Sequence, residues 1–174
     1  MAGSIDVTSV YSEGSEFVIK IPQRVIGSST LGDVENNQVV VAKEYDEQFV
    51  LPGFKILVVD DTRMNLKVFT ALFKKTQIEI DTASSGAEAI EKCHNKEYNM
   101  IFMDHMMPEM DGIQCHEALL KDDANLNKDV PVIMLTANAV SGMREMYLEH
   151  GFADYIAKPF RMAEVTRVIM EHKQ

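Results

Sequence analysis

From Lys55 onward the chain alternates short apolar runs with longer stretches of mixed polarity. Ile56-Leu57-Val58-Val59 is an unbroken apolar run, the pattern of a parallel strand buried on both faces. Residues 64–76 place Met64, Leu66, Val68, Leu72 and Phe73 at spacings that predict a helix. Residues 78–83 alternate in polarity, as an outer strand does. Ser85-Gly86-Ala87-Glu88 has the capping-box pattern and opens a helix running to about Lys96. The run 100–103 predicts a third strand, 112–121 a helix, and 132–135 a fourth strand preceded by Pro131. Residues 140–149 predict a helix that stops before Gly151, residues 155–157 a fifth strand, and 162–171 a closing helix.

Strand–helix alternation of this kind implies an α/β fold, a doubly wound five-stranded parallel sheet with helices on both faces. Ligands of such sheets bind outside the carboxyl ends of the strands, where the strand order switches. The residues that follow each strand therefore matter most. The first strand ends in Asp60-Asp61, the third in Asp104, the fourth in Thr136, and the fifth in Lys158-Pro159. Singly, each has a plain structural account: a helix cap, a turn or a solvated charge. Together they bring three carboxylates, a hydroxyl and an ammonium to one rim. Three close carboxylates repel and call for a hard, oxygen-seeking cation, of which Mg²⁺ is the obvious choice. Phosphoryl transfer needs a nucleophile and positive charge around the transferred oxygens. An Asp can be that nucleophile, Lys158 a point charge, and Thr136 a hydrogen-bond donor.

Composition narrows the field. Of 174 residues, 46% are apolar, enough for a sizeable core, and the formal charge of −10 excludes a basic nucleic-acid-binding face. No apolar run approaches the ~18 residues of a membrane span, and no basic start with an apolar block suggests a secretory leader. The expected setting is cytoplasmic, whether or not a longer parent protein is membrane-anchored. Cys93 and Cys115 form no C-x-x-C pair and fall in predicted helices, so buried free thiols are expected. His94, His105, His116, His150 and His172 lack metal-ligand spacing and are expected at the surface or in packing. Ahead of Lys55, residues 24–53 have linker composition (Gly27-Ser28-Ser29, Gly32-Asp33, Asn36-Asn37, Pro52-Gly53), with Val39-Val40-Val41 as a candidate docked strand.

Residues 55–173 resemble a two-component response-regulator receiver domain. The resemblance rests on Ile56-Leu57-Val58-Val59-Asp60-Asp61, on Met103-Asp104-His105-Met106-Met107-Pro108-Glu109-Met110-Asp111-Gly112, on Leu135-Thr136-Ala137, and on Lys158-Pro159-Phe160. It implies a flavodoxin-like (βα)5 fold with Asp104 as phosphoacceptor. It implies Asp60 and Asp61 as Mg²⁺ acids beside Asp104, with the Met106 backbone carbonyl completing the protein ligands. Lys158-Pro159 is implied to be a cis peptide that aims the lysine into the site. A switch is implied in which Thr136 moves toward the phosphoryl group and Tyr155 swings inward. Met106 and Asn138 stand where such domains tune hydrolysis of the aspartyl phosphate; a Met cannot orient water, whereas Asn138 has a polar group to do so.

The first residues carry a second resemblance. Val10-Tyr11-Ser12-Glu13-Gly14-Ser15-Glu16-Phe17-Val18-Ile19-Lys20-Ile21-Pro22 resembles the last two strands of a sensor histidine kinase ATPase domain, with Ser12 where Gly is usual. The expected organisation is a kinase fragment at 1–23, a linker at 24–53 and a receiver at 54–174, from the C-terminal part of a hybrid sensor kinase. No phosphodonor histidine motif or nucleotide-binding box is present, so neither a kinase core nor a helix-turn-helix output is expected here. The implied partner is a histidine kinase dimerisation domain or a histidine phosphotransfer protein. It would dock on the first helix near Arg63, Met64, Asn65, Leu66 and Val68. Rival readings fit less well. A haloacid-dehalogenase phosphatase wants D-x-D where Asp60-Asp61-Thr62 stands, a flavodoxin wants a Ser/Thr/Gly phosphate loop there, and a pure interaction module would usually have a damaged site.

Overall fold

The computed structural model describes residues 3–12, 14–22, 49–137 and 143–173. The chain divides into two compact units, Met1–Ala42 and Lys43–Gln174.

In the first unit, β1 (Ser4–Val10) and β2 (Gly14–Lys20) pair antiparallel, with Ile5 opposite Ile19 and Val7 opposite Phe17. The two-residue alternation of a strand puts these four on one face. All four are exposed. Ser12, in the connecting turn, has φ 67°, a left-handed conformation that glycine adopts without cost. The candidate strand at 39–41 lies outside the described residues.

The second unit holds a five-stranded parallel sheet: β3 (Lys55–Val59), β4 (Glu79–Ala83), β5 (Met100–Asp104), β6 (Val132–Thr136) and β7 (Asp154–Ala157). Its order is β4-β3-β5-β6-β7, and every neighbouring pair is parallel. Five helices connect and follow the strands: α1 (Arg63–Leu72), α2 (Gly86–Asn95), α3 (Gly112–Lys121), α4 (Met143–Glu149) and α5 (Met162–His172). Because strand side chains alternate, each central strand feeds two cores. Leu57, Val59, Ile101, Met103 and Met134 pack with Ala89, Cys93, Cys115, Leu119 and Tyr147 of α2, α3 and α4. Ile56, Val58, Phe102, Ile133 and Leu135 pack with Leu66 and Phe69 of α1 and Val165, Val168 and Ile169 of α5. That two-sided burial is why the central strands read as unbroken apolar runs. Phe49 and Leu51, within the stretch of linker composition, lie against the second core, and the Leu51 amide donates to the Thr76 carbonyl at 2.7 Å.

Two helices differ from their expected spans. The first stops at Leu72 rather than Thr76. The Thr76 hydroxyl turns back to donate to the Phe73 carbonyl at 2.7 Å, and Gln77 takes φ 59°, so the chain leaves the helix in a turn. Of the helix expected over 140–149, residues 143–149 are helical, and 140–142 lie outside the described residues. The α2 capping box is real but shifted. Ser85 accepts from the Glu88 amide as expected, while the Glu88 carboxylate reaches Ser84 rather than the amide of Ser85.

Asp111 and Gly112 set the entry to α3. Asp111 caps the helix in a full capping box with Gln114, and the Gly112 amide donates to the His105 carbonyl at 2.9 Å. A Cβ on Gly112 would fall 2.3 Å from the Asp104 carbonyl oxygen and 3.3 Å from His105 Cα. Only glycine lets the helix start this close to the end of β5. Gly112→Ala is therefore expected to destabilise the chain by about 1–3 kcal/mol, because the atoms it meets are backbone. Urea unfolding with an unchanged m-value measures this, and a wild-type midpoint would contradict it.

Candidate functional site at the carboxyl edge of the sheet

Strand order reverses at β3, whose neighbours are β4 and β5. The residues that close β3 and β5 meet in the crevice this leaves. Asp60 is fully buried and accepts four hydrogen bonds. They come from the Thr62 amide to Oδ1 (2.9 Å), Asn65 Nδ2 to both oxygens (3.0 Å each), and Lys158 Nζ to Oδ2 (2.6 Å). Asp61 is exposed, with the Thr62 hydroxyl 3.3 Å from its Oδ1. Asp104, the last residue of β5, is 6% exposed; Lys158 Nζ lies 2.8 Å from its Oδ2, and the Met106 amide 3.4 Å from its Oδ1. Lys158 follows β7, its amide donates to the Thr136 carbonyl at 2.7 Å, and its bond to Pro159 is cis, as expected.

One ammonium thus bridges two buried carboxylates from different strands. Carboxylate oxygens of Asp60, Asp61 and Asp104 come within 4.8 Å of one another. With all groups ionised, three carboxylates and one ammonium leave two uncompensated negative charges. The donor set is all oxygen, with no thiolate or imidazole, and it suits a hard divalent cation. Burial, the dominant influence, holds the Asp104 carboxyl above its ordinary range; the hydrogen bond and charge of Lys158 oppose it, and the charge of Asp60 adds to it.

Comparison with known proteins agrees with this geometry. Residues 56–170 match the family model of the response regulator receiver domain. The chain belongs to this family. It is similar to the signal transduction histidine-protein kinase BarA of Escherichia coli, 32% identical over 118 residues, which make up 68% of this chain and 13% of BarA. It is also 29% identical to the aerobic respiration control sensor protein ArcB of Escherichia coli, over 97% of this chain and 20% of ArcB. The chain therefore spans a small part of the length of these relatives. A solved receiver domain of a Pseudomonas aeruginosa sensor histidine kinase, with a magnesium ion coordinated in its active site cleft, is 32% identical with a TM-score of 0.62. That match covers 69% of this chain and 97% of the other.

The remaining rim residues of the receiver domain fall as follows. Thr136 ends β6, is 1% exposed, and accepts a hydrogen bond from the Tyr147 hydroxyl at 3.1 Å. Tyr155 is half-buried on β7, its ring 6.1 Å from that of Tyr147. The Met106 side chain is 70% exposed. Asn138 lies outside the described residues. Sequence reasoning treated Asn65 as a docking residue and missed that it clamps Asp60. Its signal was a polar residue on the first turn after the acidic pair. Tyr147 was missed altogether, because an aromatic at helical spacing reads as core.

Histidines occur in both expected settings. His94 pairs with Asp122 and His150 with Glu117, whereas His116 is buried and packs on Phe152 at 4.5 Å. Burial pushes the Cys93 thiol up to about 11 and the Cys115 thiol up to about 12, so both stay protonated at neutral pH. A second possible metal cluster, Asp154, Glu171 and His172, is already laced by Arg167, which pairs with both acids.

Since folding raises the Asp104 pKa, the folded state favours its protonated form. That contribution is complete below the unfolded value of about 3.9 and is lost as pH rises through the folded value. In chelator at pH 7, Asp104→Asn should therefore raise the thermal midpoint, and the gain should shrink as pH falls toward 4. No gain at pH 7 would mean that Lys158 compensates the buried charge completely.

Proposed function

We propose that this receiver domain accepts a phosphoryl group on Asp104 from a phosphohistidine. The observation that carries the reading is the Asp104 carboxylate itself. It is nearly buried at a strand end, touched by Lys158, and flanked by Asp60 and Asp61. In the transfer, an Asp104 oxygen attacks phosphorus, the phosphorus–nitrogen bond breaks, and the imidazole nitrogen leaves with the electron pair. Asp60, Asp61, Asp104 and the Met106 carbonyl would hold Mg²⁺, which would supply positive charge to the phosphoryl oxygens when bound. Lys158 neutralises one such oxygen and the Thr136 hydroxyl donates to another. The clamp on Asp60 from Asn65 and the Thr62 amide keeps that carboxylate aimed into the cleft. The magnesium in the Pseudomonas receiver domain supports the same choice of ion.

The switch follows from the same chemistry, with Thr136 drawn toward the phosphoryl group and Tyr155 turning inward. The lifetime of the aspartyl phosphate is set partly by Asn138, since the Met106 side chain cannot orient an attacking water. Phosphohistidine approaches over α1, where Met64 is 65% and Val68 44% exposed while Leu66 is buried. Arg63 and Asn65 flank that approach. The partner is a histidine kinase dimerisation domain or a histidine phosphotransfer protein.

The match to ArcB across 97% of the chain and the β1–β2 hairpin support a hybrid kinase parent. In that reading 1–23 are the last strands of its ATPase domain, 24–53 the linker and 54–174 the receiver. Among the described residues no helix is long and apolar enough to cross a membrane.

Intact-protein mass after incubation with phosphoramidate tests the reading. A single Mg²⁺-dependent phosphoryl adduct is expected, absent in Asp104→Asn. A folded, Mg²⁺-binding chain that takes no adduct would instead be an interaction module. Separately, Mg²⁺ at ten times its Kd should stabilise the chain by ~1.4 kcal/mol. Asp61→Ala should abolish the shift in thermal midpoint, and a shift that survives would place the ion elsewhere.

A further inference from the structure

A buried hydrogen-bonded network leaves this rim through α4. The Tyr147 hydroxyl donates to Thr136 Oγ1 at 3.1 Å and also lies 3.1 Å from His105 Nδ1. A phenol has one proton. With that proton on Thr136, Tyr147 accepts from His105 through an Nδ1–H tautomer. One oxygen thereby joins the residue after Asp104, the hydroxyl that ends β6, and a helix of the α2–α3–α4 layer.

The ring that carries this oxygen is fixed. Tyr147 is 1% exposed. His105 meets its ring nearly perpendicular at 5.5 Å and Phe152 packs at 6.2 Å. Tyr147 cannot follow if Thr136 moves. A bond of 3.1 Å does not survive a shift of about 1 Å in one partner.

We infer that Tyr147 is a positioning residue of the switch: its hydroxyl holds Thr136 in its resting place and is released when Thr136 engages a phosphoryl group on Asp104. This rests on the reading of Asp104 as phosphoacceptor and Thr136 as its hydroxyl donor. Release leaves Tyr147 still bonded to His105, so the latch biases the switch without locking it. One neutral hydrogen bond biases an equilibrium about three- to tenfold. The aromatic that turns inward in the same switch, Tyr155, packs on Tyr147, so both moving residues bear on one fixed ring.

The test uses the whole 174-residue chain, saturating Mg²⁺, and beryllofluoride as a phosphoryl mimic. Tyr147→Phe keeps the ring and removes the hydroxyl. It should bind beryllofluoride about three- to tenfold more tightly and take phosphoryl from phosphoramidate faster by a similar factor. In a Thr136→Ala background the same substitution should change neither quantity, and Thr136→Ser should restore the effect. A residue with only a packing role would shift the thermal midpoint in both backgrounds without tightening the mimic. Unchanged or weaker binding in Tyr147→Phe, with wild type phosphorylated normally, overturns the latch and leaves the phosphoacceptor reading standing. Tightening that persists without the Thr136 hydroxyl also overturns it. A wild-type chain that takes neither mimic nor phosphoryl removes both.

Discussion

The ammonium of Lys158 stands between two carboxylates that would otherwise repel across the crevice. It lies 2.6 Å from Asp60 and 2.8 Å from Asp104, and both acids are almost free of solvent. Burying either acid alone would be costly. The lysine makes the pair tolerable and ties three strands together at one edge: β3 through Asp60, β5 through Asp104 and β7 through its own backbone. The remaining features of the rim answer to this contact. Asn65 and the Thr62 amide satisfy the other lone pairs of Asp60. Gly112 allows α3 to begin against the carbonyl of Asp104. The uncompensated charge that is left suits a divalent cation.

Layering explains how so small a sheet fixes these side chains so well. Consecutive residues of β3 and β5 point into different cores, so a slip by one residue would exchange the side chains of the two cores and misfit both. The last residue of each strand therefore has a determined position and direction. Chemistry at strand ends inherits its accuracy from packing well below the rim.

Much of this was legible in the sequence because strands buried on both sides write themselves as plain apolar runs. The cores of β3, β5 and β6 follow from that signal, and so do Asp60, Asp104 and Thr136 at their ends, whereas the outer strand at 79–83 was read from its alternation. Turn chemistry was harder to read. The early end of α1 depends on the Thr76 hydroxyl reaching back to Phe73 and on the left-handed Gln77, neither of which changes the hydrophobic pattern. Contacts through space were hardest. Asn65 and Tyr147 sit on helices at positions where a polar surface residue and a core aromatic are ordinary. Only the fold brings them to Asp60 and Thr136. The capping role of Asp111 went unread, although its partner Gln114 lies three residues on.

The hairpin of the first unit follows a different physics. Ile5, Val7, Phe17 and Ile19 form an uncovered greasy face on a two-stranded ribbon, an arrangement that is marginally stable in water by itself. Such a ribbon is adhesive, and the rim, by contrast, is charged. Every rim residue belongs to the unit 43–174. The tendency to self-associate through apolar surface and the charged rim are therefore carried by different stretches of one chain.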